Sequence, residues 1–219
     1  MNKMKKCLVI LAKTPDLSDV KTRLSSIIGE KNTRIFYDMC KSCVEDLKSK
    51  LEYDTIIATA EKEGISNDYW KRFDTFFAEG KDLAEKQFFI FNKLLNIYNS
   101  VVLIGMDIPQ LNKKLIKIAF NHLENNNHII GPSTDGGFYL LGSKLKIEKE
   151  VWENTKWSSS ITLQTFICSL NSKPYFIRKL SDVDKPEDFI KMNEEMPSDP
   201  SERQVNIINW IKSIEELIK

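Results

Sequence analysis

The chain predicts an α/β fold in which a mostly parallel sheet carries helices on both faces. Three observations support this. Short apolar runs alternate with longer stretches of helical periodicity nearly throughout. The run at 101–104 is too short and too apolar for a surface helix, so it reads as a buried strand. Gly105 and Pro109 then end that run, because proline cannot donate to a strand ladder.

Each element follows from its local pattern. Residues 7–13 read as the first strand, and 31–50 as a long helix with Ile35, Phe36, Met39, Cys43 and Leu47 on one side. A second strand is expected at 54–60, a short helix at 67–73 capped by Asn67, and a third strand at 75–78. Helix is expected at 83–98, strand at 100–107, and helix at 113–125, closed by the asparagines at 125–127. Strands at 128–131 and 137–142 flank a loop. Helix at 161–170, strand at 175–180 and helix at 186–196 follow, the last with proline in its first turn. Ile207, Ile211, Ile214 and Ile218 share one face of an amphipathic stretch.

There is no internal repeat or low-complexity tract, and 197–202 is the one linker-like stretch. The 219 residues therefore read as a single domain, with 202–219 a C-terminal amphipathic helix. That helix packs on the body or on a second copy of the chain, which leaves a homodimer open.

Composition limits the function classes. The 42% hydrophobic content suits an ordinary core, and a net charge of +1 gives no global field for nucleic acid or an acidic membrane. No apolar stretch is long enough to span a bilayer. The opening MNKMKKCLVILAKT has the basic start of a signal peptide, but Lys13 interrupts the apolar run before any cleavage site. A cytoplasmic protein is expected. Cys40 and Cys43 form a C-x-x-C, the spacing of redox and metal motifs. They lie within a helical pattern, however, where they share one apolar face as small hydrophobes.

Three segments carry polar chemistry. After the first strand, Lys13, Lys21 and Arg23 stand in KTPDLSDVKTRL, a set of loop cations suited to phosphate or to a solvated turn. This stretch lacks the glycines of a Walker loop or a dinucleotide fingerprint. Asp107 ends the 101–104 run at the sheet lip where open α/β proteins bind ligands, and a carboxylate there suits Mg²⁺ or Mn²⁺. In GPSTDGGFYLLG, Asp135, Gly136 and Gly137 demand a tight turn or a close backbone approach, with Pro132, Phe138 and Tyr139 as a wall. Asp182, Asp184 and Glu187 cluster before a helix start, as caps or, for Asp184, as a second metal carboxylate. Trp157 reads equally as a core anchor or an acceptor-site wall.

The ordered set K-x-P-x(4)-V-K-T-R-L, G-x-D-x-P-x-L, G-P-x-x-D-G-G-F-Y-L-L-G, W-S and D-V-D-x-P-E-D covers about residues 13–188. It resembles a bacterial family of GT-A-fold transferases, glycosyltransferases associated with radical-SAM and selenodomain proteins and with arsenosugar biosynthesis. It is also similar to the nucleotidyltransferases that make molybdenum-cofactor dinucleotides and activated phospholactate.

The resemblance implies a nucleotide-diphospho-sugar transferase fold, a Rossmann-like three-layer sandwich. It also implies that Lys13, Lys21 and Arg23 lie on the phosphate side and that Asp107 and Asp184 hold the metal. Asp135, Gly136 and Gly137 match the acceptor or sugar-side loop, with Gly105, Pro132 and Trp157 beside the substrates. Asp82 falls where the family contacts the donor's base or sugar. Two departures stand out: Leu17 and Ser18 replace the usual proline-glycine, and Asp82–Lys86 lacks the family's glycine and arginine, as 82–86 reads DLAEK.

The expected activity is metal-dependent transfer from a nucleotide sugar to a small acceptor. The alternatives are nucleotidyl transfer from a nucleoside triphosphate and nucleotide binding without turnover. Asp107, Lys21 and Asp135 are the expected catalytic residues, with Asp135 as the base because it sits in a glycine turn at the same lip.

Overall fold

The computed structural model describes residues 4–214 and 216. Strands β1 (Lys6–Ala12), β2 (Asp54–Thr59), β3 (Asp74–Phe77), β4 (Ser100–Gly105), β5 (His128–Pro132), β6 (Phe138–Ser143) and β7 (Tyr175–Phe176) form one seven-stranded sheet. Their spatial order is β3-β2-β1-β4-β6-β5-β7. The pairs β3–β2, β2–β1, β1–β4 and β5–β7 are parallel, and β6 runs antiparallel to both β4 and β5. The mostly parallel sheet is as expected. The exception at β6 has a local cause: a turn as short as 133–137 leaves no room for a crossover helix, so the chain returns antiparallel.

The helices are α1 (Thr22–Ile28), α2 (Glu30–Lys50), α3 (Leu83–Leu94), α4 (Lys113–Asn125), α5 (Lys149–Asn154), α6 (Thr162–Ser169), α7 (Asp188–Glu194) and α8 (Glu202–Ser213). Strand alternation sorts the core into two layers. Leu8, Ile10, Val102 and Ile104 face a core shared with α1, α2, α4, α7 and α8. Cys7, Val9, Val101 and Leu103 face a second core shared with α3, α5 and α6. The three-layer sandwich is thus written in the period-two pattern of β1 and β4.

Several boundaries depart from the sequence expectation. The 31–50 helix is preceded by a separate helix, α1, because Gly29 at φ 82° breaks the path between them. At 67–73 only one short 3-10 turn forms, Asp68–Trp70, preceded by another at Lys62–Ser66, and Asn67 does cap Tyr69 N. Helix α3 stops at Leu94, earlier than expected. The 175–180 strand shrinks to β7 plus a single bridge between Ser133 and Leu180. Helix α5 had no sequence signal that separated it from a loop.

Cys40 and Cys43 lie buried in the apolar face of α2, and burial pushes both thiols up from their ordinary range. Helix α8 packs on the body, with Trp210 stacked on Phe36 at 6.0 Å. Buried Gln204 donates to the carbonyls of Pro109 at 2.8 Å and Leu111 at 3.1 Å, so α8 ties down the loop after β4. Residues 215 and 217–219, which include Ile218 of the expected apolar stripe, lie outside the described residues. Among the described residues no helix is long and apolar enough to cross a membrane.

Candidate active site

A cleft of about 930 Å³ opens over the C-terminal ends of β1 and β4. Lys13, Lys21, Arg23, Asp82, Gly105, Asp107, Asp135, Gly137, Trp157 and Asp184 all line it. Pro132 and Gly136, expected beside the substrates, do not line it. Gly136, at φ 94°, lies against the Ser160 carbonyl and accepts from Leu163 N at 2.9 Å, which seats the 133–137 turn on the start of α6.

Asp107 follows β4 by two residues. Its carboxylate folds back over Gly105, where a Cβ would meet Asp107 Oδ1 at 2.7 Å. Glycine is required there to make room for the carboxylate, since its backbone φ is not in the left-handed region.

Lys21 begins α1 in the left-handed region, at φ 49° and ψ 50°, with no side-chain cap. Its Nζ donates to Asp107 Oδ2 and, at 2.7 Å, to Asp184 Oδ1. Arg23 Nη1 donates to the other oxygen of Asp184 at 3.0 Å. Residues 21, 107 and 184 thus meet from three distant parts of the chain. Burial of Lys21 acts to lower its pKa, but Asp107 and Asp184 more than offset this, so the ammonium stays charged. Burial of Asp184 likewise acts to raise its pKa, and Lys21 and Arg23 hold it below the usual carboxylate range.

A third carboxylate joins them. One oxygen each from Asp107, Asp182 and Asp184 lie within 4.8 Å of one another, the group among the described residues with the geometry to hold a metal ion. Burial, then the charges of Asp107 and Asp135, push the Asp182 carboxyl up to about 7. Sequence reasoning assigned the metal to Asp184 and passed over Asp182. The available signal was the alternation D-V-D around fully buried Val183, which puts both acids on the face opposite it in extended chain. None of these acids caps α7, whose N-cap Glu187 makes no side-chain cap hydrogen bond; Asp188 instead braces the chain before the helix, accepting from Asp184 N at 3.0 Å and Lys185 N at 2.8 Å.

A buried network fixes the two aspartate loops against each other. Gln110 Nε2 donates to the Ser181 carbonyl at 2.6 Å and to Glu195 Oε2 at 3.0 Å. Glu195 also accepts from Ser181 N at 2.7 Å and Ser181 Oγ at 3.0 Å.

The remaining walls have definite supports. Asp135 Oδ1 accepts from Ser133 Oγ and from Gly137 N at 2.8 Å, which orients its carboxylate. Trp157 lines the cleft and stacks on Trp152 at 6.0 Å and 5°, which anchors it in the core beneath. Lys13 Nζ donates to the Asp19 carbonyl at 2.9 Å, closing the first loop on itself. Asp82 caps α3 through Glu85 N at 2.9 Å. Lys86, where the resembled family has arginine, donates to the carbonyls of Ala60 at 3.1 Å and Ala78 at 3.2 Å. Gln87, also missed, lines the cleft with its Oε1 buried and unpartnered.

Comparison with known proteins identifies a family and a shared fold. The model of a family described as "Uncharacterized protein conserved in bacteria (DUF2064)" matches residues 44–159. No curated protein matches the chain. A structure from Desulfovibrio desulfuricans, provisionally named a nucleotide-diphospho-sugar transferase, superposes with a TM-score of 0.86 at 23% identity, over 99% of this chain and 97% of that one. The 4-diphosphocytidyl-2C-methyl-D-erythritol synthase of Anaerococcus prevotii superposes at 0.53 with 15% identity, over 87% and 97%. A cytidylyltransferase of Leptospira borgpetersenii superposes at 0.52 with 15% identity, over 99% and 97%. At these identities the likeness is one of fold.

Proposed function

The chain belongs to the DUF2064 family, and we propose that it is a metal-dependent transferase that moves a sugar from a nucleotide-diphospho-sugar to a small acceptor. The observation that carries this reading is the meeting of Lys21, Arg23, Asp107, Asp182 and Asp184 at the lip of β1 and β4. The donor set suits a hard divalent ion: it offers carboxylate oxygens and already holds a positive group, the Lys21 ammonium. Asp107 and Asp184, with Asp182, would hold Mg²⁺ or Mn²⁺. Such an ion neutralises charge on the departing diphosphate.

The chain's own residues supply the rest. Lys21 and Arg23 present positive charge to the donor phosphates, Arg23 as a fork and Lys21 as a point charge. Lys13 extends that charge at the mouth. Asp135, held by Ser133 and Gly137, takes the proton from the acceptor hydroxyl as that oxygen bonds to the anomeric carbon. The bond from that carbon to the diphosphate breaks, and a nucleoside diphosphate leaves. Asp82 lies toward the donor, and Gly137 and Trp157 toward the acceptor. This reading takes the chain as one domain of a cytoplasmic enzyme. A place among the radical-SAM-associated and arsenosugar transferases rests on the motif order of 13–188.

A second reading, nucleotidyl transfer, is favoured by the two cytidylyltransferase-type neighbours, which superpose over most of the chain. In it an acceptor phosphate attacks the α-phosphorus of a nucleoside triphosphate and pyrophosphate leaves. Incubation with Mn²⁺ and a panel of nucleotide sugars or nucleoside triphosphates separates the two. Release of nucleoside diphosphate, abolished in Asp107→Asn, supports glycosyl transfer, and release of pyrophosphate supports the second. Binding without turnover above the Asp107→Asn background assigns a non-catalytic role, and binding of neither class refutes both transferase readings.

A further inference from the structure

We infer that Lys21 is a built-in occupant of the cation seat: without ligand its ammonium bridges Asp107 and Asp184, and a donor diphosphate draws it away so that a divalent ion can enter. This rests on the metal reading proposed above.

Three features of the chain support it. The first is position. Lys21 Nζ reaches one oxygen of Asp107 and, at 2.7 Å, one of Asp184, and these same residues belong to the one cluster of metal-ligand geometry among the described residues. An ammonium and a divalent ion on the same two carboxylates compete for the same oxygens.

The second is charge. Three clustered carboxylates face one enclosed cation, Lys21, whose side chain is only 11% exposed, and one open cation, Arg23, at 70%. Removing Lys21 leaves acidic oxygens with a single guanidinium at the edge, which is the electrostatic demand of a divalent ion. A diphosphate offers Lys21 alternative acceptors of higher charge, and the ammonium's three donors impose no fixed fork geometry.

The third is backbone. Lys21 holds a left-handed conformation that L-residues rarely adopt, and Asp16 in the same loop stands at φ 74°. The start of the loop is fixed: Leu17 N and Ser18 N both donate to the Thr14 carbonyl at 3.1 Å, and Tyr37 Oη donates to the Lys13 carbonyl at 2.7 Å. The contacts of Lys21 to Asp107 and Asp184 therefore lie beyond the anchored start of the loop, on a residue of rarely adopted backbone conformation.

Binding of metal and diphosphate is then mutually reinforcing, since each removes a cost of the other. The test is titration of Mn²⁺ alone, and of Mn²⁺ with pyrophosphate against a protein-free blank, followed by the electron paramagnetic resonance signal of free Mn²⁺. The wild-type chain should bind Mn²⁺ weakly and about tenfold more tightly with pyrophosphate. Lys21→Met should bind Mn²⁺ alone about tenfold more tightly than wild type and lose most of the pyrophosphate enhancement. Lys21→Arg, which keeps the charge, should stay weak. Equal or weaker Mn²⁺ binding by folded Lys21→Met overturns the inference, as would be expected of a purely structural ion pair. If that variant does not fold, absence of enhancement in the wild type overturns it. The doubly substituted Lys21→Met, Asp107→Asn chain separates the two levels: undiminished binding there refutes the metal seat itself.

Discussion

The Asp107 carboxylate rests over the α-carbon of Gly105, so close that a Cβ at 105 would stand 2.7 Å from Asp107 Oδ1. Gly105→Ala should therefore displace the carboxylate while leaving the buried part of β4 in place. We expect folding to be retained, with turnover reduced on the order of tenfold or more through misplacement of one charged group. A far-ultraviolet spectrum and melting curve beside the rate check both halves. Unchanged turnover would show that the position of Asp107 does not matter.

The Glu195 carboxylate is the common acceptor for Ser181 and Gln110, which tie the 105–111 loop to the 181–184 segment. Glu195→Ala leaves buried donors unpaired, at a cost of about 1–3 kcal/mol. For a chain of this size the midpoint should fall by about 2–4 °C per kcal/mol. Mn²⁺ binding should weaken as well, because the two aspartate loops lose their common anchor. A lower midpoint with unaltered metal binding would confine Glu195 to stability.

Asp182 gives the metal-free protein a pH signature. Its folded carboxyl lies at about 7, above the ordinary 3.8, so the folded state holds a proton that the unfolded chain has released. Stability from this group is therefore present at low pH and declines as pH rises from about 4 through about 7. Mn²⁺ requires the ionised form, so the thermal stabilisation it confers should grow from about pH 6 to about pH 8. Asp182→Asn should flatten both trends in differential scanning. A metal-induced gain independent of pH would remove Asp182 from the seat.

The cysteines test the reading of the C-x-x-C. Cys7, Cys40 and Cys43 are buried, and Cys168 is exposed. A thiol reagent should modify Cys168 promptly in the native state and the other three only on unfolding. Cys168→Ser should abolish the fast phase. Rapid native modification of Cys40 or Cys43 would contradict their role as core side chains.

What could be read in advance follows the range of the interactions. Helix α4 has the expected bounds because a strong apolar stripe and the side-chain cap of Asn112 lie within one short stretch. The strand before Asp107 was legible from its apolar run, and the sheet lip followed from the alternation of elements. The weak helix α5 and the shortened β7 were not, since tertiary packing decides segments of marginal local preference. At the site, residue types and order singled out Lys21, Arg23, Asp107 and Asp184, which the structure brings together. The bridge from Lys21 to Asp184 spans 163 positions and depends on how two loops are tied together, which no local pattern encodes. Asp182 was visible only as one half of D-V-D, and its place beside Asp107 and Asp184 came from the fold.

The most direct test of the account is the anomalous-scattering map of a crystal soaked with Mn²⁺ and a nucleoside diphosphate. The expected result is an ion within coordination distance of Asp107 and Asp184, with the diphosphate on that ion and the Lys21 ammonium moved from the carboxylates to a phosphate oxygen. A nucleotide bound elsewhere, with Lys21 still bridging Asp107 and Asp184 and no ion between them, would contradict it.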